Sequence, residues 1–96
     1  MPQSSFEWDE GKNLANQEAH GISFEEAQFA FFDTQRIIAH DAKHSENEER
    51  WFCIGKVHDR ILTVRFTYRN DIIRILGAGC WRKWRKYYEE ENHIQG

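Results

Sequence analysis

The stretch Ile61-Leu62-Thr63-Val64-Arg65-Phe66-Thr67-Tyr68-Arg69-Asn70-Asp71-Ile72-Ile73-Arg74-Ile75 decides the fold. Leu62, Val64, Phe66 and Tyr68 alternate with Thr63, Arg65, Thr67 and Arg69. A period of two gives an extended strand one apolar and one polar face. Asn70-Asp71 then supplies a tight hairpin turn, because both residue types tolerate left-handed backbone. In the next strand Arg74 lies between Ile73 and Ile75, so it points away from them. If those two isoleucines join the core, Arg74 shares a face with Arg65 and Arg69.

Outward from this hairpin the same rhythm predicts strands at Arg36–His40, Arg50–Val57, Ile61–Arg69 and Ile72–Ala78, with short polar connections suited to consecutive antiparallel pairs. Upstream the period changes. Phe6-Glu7-Trp8 is a candidate short strand. Asp9 caps a helix over Glu10–His20 that Gly21 ends. Ser23 opens a second helix with a capping box, its hydroxyl accepting from the Glu26 N–H and the Glu26 carboxylate reaching back. Phe24, Ala27 and Phe31 give that helix an apolar face. A last helix runs from Trp81 to about Asn92, with Trp81, Trp84 and Tyr88 as its core stripe. The expected fold is α+β in two layers: two N-terminal helices, an antiparallel sheet and a C-terminal helix, the helices on one face.

Ninety-six residues, 40% hydrophobic and 30% charged, read as one globular domain over 1–96. The net charge of −3 argues against an indiscriminate nucleic-acid binder. Its distribution is uneven: residues 1–46 hold three Lys/Arg against nine carboxylates, and residues 47–96 hold ten against seven. A basic site on one face is therefore possible. Cys53 and Cys80 fit neither a disulfide framework nor a zinc pattern, and cysteine in apolar surroundings is expected to be buried. The start of the chain lacks the pattern of a signal peptide, and no apolar run is long enough to span a bilayer. The expected compartment is the cytoplasm, with no cofactor, metal or membrane partner.

Three guanidiniums on one rigid face, with the Thr67 hydroxyl between two of them, form a candidate phosphate clamp, since arginine's planar fork matches paired phosphate oxygens. The ordinary alternative is a solvated sheet face whose arginines pair with carboxylates such as Glu49. His20, in the last turn of its helix, is a candidate acid or base, or simply a helix-end residue. His40 and His44 in HDAKH lack the glutamate and the helix of a zinc motif. His58 and His93 have no evident role. The last helix begins with Arg82, Lys83, Arg85 and Lys86 and ends with Glu89, Glu90 and Glu91. This is the reverse of what the helix dipole favours, so its basic start is a candidate contact for RNA or an acidic partner.

As a whole the pattern resembles the BrnT family of toxin–antitoxin toxins, in FEWDEGKNLAN (Phe6–Asn16), HGISFEEA (His20–Ala27), HSENEERWFCIG (His44–Gly55) and ILTVRFTYRNDIIRI (Ile61–Ile75). The resemblance implies a RelE/ParE-like fold and metal-independent RNA cleavage that arrests growth. It also implies neutralisation by a BrnA-like, DNA-binding antitoxin, in a complex of two toxins and two antitoxins. Carried over by position, His20, Glu49, Arg65, Arg69 and Arg74 are the catalytic candidates. Lys12, Thr67, Arg82 and Lys83 are the RNA-binding candidates. Ala19 stands where the family usually has lysine, and Gly77–Trp81 replaces a Ser-Ala-Arg segment. The competing readings are a toxin-fold protein that only binds its antitoxin, and an RNA-binding module stacking bases on Trp51, Trp81 or Trp84.

Overall fold

Asp9 and Gly21 bound the first helix as the sequence predicts. The structure, a computed structural model, describes residues 5–94. A short strand β1 (Phe6–Glu7) leads into helix α1 (Glu10–His20). The Asp9 carboxylate accepts from the Lys12 N–H at 3.0 Å, and Gly21, at φ 69°, donates its N–H to the Gln17 carbonyl. The only buried residue of α1 is Asn13, so the helix is not docked by an apolar stripe. Polar groups hold it instead. Asn13 Oδ1 accepts from the Phe24 N–H and from Gln17, while its Nδ2 donates to Glu10 and Glu25, which satisfies the amide completely.

Helix α2 (Phe24–Ala27) continues as a 3₁₀ turn over Gln28–Phe32. Ser23 Oγ accepts from the Glu26 N–H at 3.0 Å. The reciprocal half of the expected capping box is replaced: the Glu26 carboxylate takes Arg60 Nη2 at 2.6 Å. Strands β2 (Ile37–His40), β3 (Arg50–Val57), β4 (Arg60–Arg69) and β5 (Ile72–Gly79) follow, with a 3₁₀ turn Ala42–His44 between β2 and β3, and helix α3 (Arg82–Glu91) closes the order. Asn70 and Asp71 both take positive φ, 52° and 65°, as a type I′ hairpin requires.

The sheet runs β1-β5-β4-β3-β2. Its last four strands are antiparallel neighbours, but β1 pairs in parallel with β5, so the sheet is mixed and a strand precedes the helices. Leu62, Val64, Phe66, Cys53, Ile75 and Ala78 bury one face against Ile22, Phe24, Ala27 and Ala30. The 3₁₀ turn presses so closely that a Cβ on Gly55 would lie 2.3 Å from the Ala30 carbonyl oxygen. Tyr68, on the apolar side of the alternation, is 55% exposed, its ring edge-on to Phe66 at 5.4 Å.

Expected on the same face as the other helices, α3 lies on the opposite one. Its Trp84 ring packs on Phe52, 4.9 Å between centroids, and Phe52 alternates with the core residues Trp51 and Cys53. The expected two-layer arrangement is thus three layers where α3 lies. The anchor of that third layer is Tyr88, fully buried, whose hydroxyl donates to the Asp33 carboxylate. Trp81 is 41% exposed and is not part of that core. No helix of the described residues is long and apolar enough to cross a membrane. Cys53 is buried, which pushes its thiol up to about 12 and leaves it inert, whereas Cys80 is exposed, contrary to expectation.

The Tyr88–Asp33 contact ties stability to acid. Burial pushes the Asp33 carboxyl up, but donors from Tyr88 and from the Lys56 and Gln35 N–H groups outweigh it and hold the carboxyl below 3.8. A depressed carboxyl contributes stability above its unfolded value that disappears as pH falls through the folded one. Tyr88→Phe should therefore lower stability near neutral pH by about 1.5–3 kcal/mol. It should also flatten the loss of stability below pH 3.8, the ordinary Asp33 value. Chemical denaturation across that range checks both, and an unchanged acid limb would contradict the assignment.

Candidate functional site

The face of β4 opposite the main core carries Thr63, Arg65, Thr67 and Arg69. Strand register places their neighbours. Arg50 on β3 and Arg74 on β5 both stand opposite Thr67, and Glu7 on β1 stands beside Arg74. In the adjoining row, Phe52 and Gly77 flank Arg65. A register shift between Arg65 and Phe66 leaves Leu76 as an extra residue, and the alternation still brings Arg74 to the arginine face. The structure thus groups Arg65, Arg69 and Arg74, and adds Arg50, which the sequence reading missed. The missed signal was the alternation of β3, where Arg50, Phe52 and Ile54 oppose Trp51 and Cys53.

The lower half of this patch is charge-compensated. Glu48 accepts from Arg69 Nη2 at 3.1 Å and Nε at 3.3 Å, and lies 3.8 Å from Arg50. Arg74 donates to Glu7 at 3.0 Å. Arg69 is the largest reason that Glu48 stays below its ordinary carboxylate value. Arg65 differs. Half-buried, it has no carboxylate partner among the described residues, and its Nε would lie 3.9 Å from a Cβ on Gly77, with Asn16 Oδ1 at 4.0 Å. The floor beside it is therefore bare backbone.

Helix α1 runs along the open edge of β5 past this floor. Asn16 pairs with Ala78 as a strand would, Nδ2 donating to its carbonyl at 2.9 Å and Oδ1 accepting its N–H at 3.2 Å, and Nδ2 also donates to the Ile22 carbonyl. Lys12 and His20 lie one helical turn before and after Asn16, hence on the same side of α1. The His20 ring stands edge-on to Trp81 at 5.6 Å, and Trp81 covers Gly79, where a Cβ would meet the indole at 2.5 Å. One edge of the face therefore carries Lys12, Asn16, His20 and Trp81 in sequence, with Arg65 beside its middle.

Other candidates are placed elsewhere. Thr67 is 2% exposed and its hydroxyl donates to the Glu49 carbonyl at 2.6 Å, so it braces the sheet and offers nothing to a ligand. The Glu49 carboxylate engages His40, away from the arginines; the acid among them is its neighbour Glu48. Arg82 lines a shallow cleft with Ile61, Trp81 and Arg85, near the His20 end. Lys83 turns to the far side of α3, its Nζ 5.3 Å from the Trp84 ring centre, beside Ala39 and Tyr87. Trp51 and Trp84 are half-buried in packing, which leaves Trp81 as the indole with an open surface. No group of three or more His, Cys, Asp or Glu positioned for a metal occurs among the described residues.

A rigid array of guanidiniums with one uncompensated member, a backbone floor and a histidine on the bordering helix can hold an anion and move a proton beside it. Comparison with curated proteins gave no match. The profile of a protein family described as the ribonuclease toxin, BrnT, of type II toxin–antitoxin systems matches residues 8–86, which include every residue of this face but Glu7. The chain belongs to the BrnT family of ribonuclease toxins.

Proposed function

We propose that the chain is a metal-independent endoribonuclease whose arginine face holds RNA phosphates. The observation that carries this reading is Arg65, half-buried beside a glycine floor with no carboxylate to neutralise it among the described residues. Cleavage without metal needs a base for the ribose 2′-hydroxyl, positive charge for the phosphorane and an acid for the departing 5′-oxygen. His20 takes the 2′-proton as O2′ bonds to phosphorus; the P–O5′ bond breaks and the 5′-oxygen is protonated by the imidazolium or by water. The upstream product ends in a 2′,3′-cyclic phosphate. Arg65 stabilises the charge on the non-bridging oxygens, Arg69 and Arg74 extend the positive field, and Lys12 and Arg82 guide the flanking strand.

The toxin, one RelE/ParE-like domain spanning 1–96, acts in the cytoplasm and arrests growth. A BrnA-like DNA-binding antitoxin silences it in an assembly of two toxins and two antitoxins. Covering the arginine face and the start of α3 is the simplest means, since a type II antitoxin is a protein and neither Arg65 nor Arg82 pairs with a carboxylate among the described residues. Glu18 and Glu25 are exposed on α1 and α2 and would repel an acidic covering segment.

Two outcomes test the reading. Arg65→Ala should slow RNA cleavage about ten- to a hundredfold, the value of one charge-assisted hydrogen bond made in the transition state. Growth arrest should be relieved with the fold retained, and Arg69→Ala should act in the same direction more weakly, because Glu48 already occupies that guanidinium. A folded Arg65→Ala and Arg69→Ala double variant that arrests growth as fast as the parent would remove the phosphate clamp.

Cleavage should also persist in chelator and leave 2′,3′-cyclic phosphate ends. Product-end analysis reads both points. Activity lost in chelator and restored by magnesium would reject the mechanism.

A further inference from the structure

Below Arg65, the same face opens into a cleft of about 560 Å³ whose lining includes Lys43, His44, Glu48, Arg50 and Arg69. Two strands and the loop after the 3₁₀ turn Ala42–His44 thus bring three permanent cations and one histidine around two carboxylates, Glu46 and Glu48, of which Glu48 alone pairs with arginines among the described residues. Arg50 Nε is buried and donates to nothing among the described residues, a costly state for a guanidinium N–H. Its Nη2 stands 3.8 Å from Glu48, close enough for attraction but too far for a hydrogen bond. The Glu48 carboxylate therefore fills the Arg69 fork but leaves Arg50 unsatisfied. His44 is held in place by the buried Asp41, whose carboxylate lies 3.0 Å from Nδ1.

We propose that this cleft is a second phosphodiester subsite, in which a phosphate of bound RNA displaces Glu48 and is gripped by Arg69 and Arg50 together, with Lys43 adding charge at the rim. The inference rests on the ribonuclease reading, because it takes the ligand to be RNA. Carboxylate and phosphate present the same pair of oxygens to a guanidinium fork, which is why Glu48 occupies the place in free protein. A tetrahedral phosphate has further oxygens to offer Arg50, and Glu48 has none. Arg65 and Arg69 are four residues apart on one strand, ~13 Å, so they hold different phosphates of the strand. Glu48 acts as a built-in competitor, and its removal strengthens RNA binding.

The test uses the full chain and a labelled single-stranded 2′-O-methyl oligoribonucleotide, which lacks the attacking hydroxyl and stays intact while anisotropy is read. Glu48→Gln should tighten binding about five- to tenfold. Glu46→Gln, the same charge change in the lining of the same cleft at a carboxylate with no arginine partner among the described residues, should change it less than about twofold, which separates displacement of Glu48 from a general gain of positive charge. Arg50→Gln should weaken binding about tenfold, the value of one hydrogen bond to a charged group. Both Arg50→Gln and the exposed-loop change Lys43→Gln should lower the salt slope by about 0.7, one phosphate contact on a single strand. Equal gains in Glu46→Gln and Glu48→Gln, or salt slopes unchanged in the Lys43 and Arg50 variants, would overturn the subsite. So would a glutamate-rich peptide that binds the cleft with the same Glu48→Gln gain while inorganic phosphate fails to compete. Cleavage of unmodified RNA separates the two levels. No cutting with the Glu48→Gln gain intact removes the ribonuclease reading and keeps the subsite; cutting with an indifferent Glu48→Gln does the reverse.

Discussion

The structure depends on the side-chain alternation of one strand, β4, with a neighbour on each side. Leu62, Val64 and Phe66 are fully buried against the helical layer. Their burial fixes the register, because a one-residue slip would drive Arg65 and Arg69 into the core and expose the apolar set. Full burial of a Leu, Val or Phe side chain is worth about 1.5–3 kcal/mol. Three such residues therefore hold the arginines outward far more firmly than any surface ion pair could. The position of the guanidiniums is a consequence of hydrophobic burial on the other side of the sheet.

The second constraint is polar. Helix α1 carries no apolar seam, and two asparagines one turn apart attach it: Asn13 to the start of α2, Asn16 to the open edge of β5. Burying an amide is unfavourable unless its donors and acceptors are all used, and Asn13 uses all of its own. This attachment aligns Lys12 and His20 with the arginine face. The charged groups on that face are arranged in two ways. Arg69 and Arg74 are neutralised by Glu48 and Glu7, while Arg65 has no such partner among the described residues. That asymmetry separates a merely solvated face from one suited to an external anion.

Much of this was legible in the sequence, for identifiable reasons. Period-two alternation gave the main strands to within a residue or two, and Asp9, Gly21 and Ser23 marked helix ends because capping is local chemistry. The same alternation grouped Arg65, Arg69 and Arg74. What escaped were facts of tertiary placement. The α3 stripe was readable, but which sheet face it would cover was not, since Phe52 and Ile54 offered a second apolar surface. Thr67 looked like a ligand donor until the chain brought the Glu49 carbonyl within reach of its hydroxyl. Glu48 and Glu49 are adjacent acids, and only the path of the loop sends one to Arg69 and the other to His40. Asn16 could have been suspected, being a poor helix former in mid-helix, yet its partner Ala78 is 62 residues away.

On the proposed function, RNA binds the arginine face and not the opposite one or the β2 edge. Mapping backbone and arginine Nε resonances during titration with an uncleavable single-stranded RNA tests it most directly. Shifts should concentrate at Arg65 Nε and at the amides of Thr67, Gly77, Gly79 and His20, with Phe29 and Val57 silent. Shifts confined to Phe29, Phe32 and Ile38, with the arginine face unmoved, would contradict it.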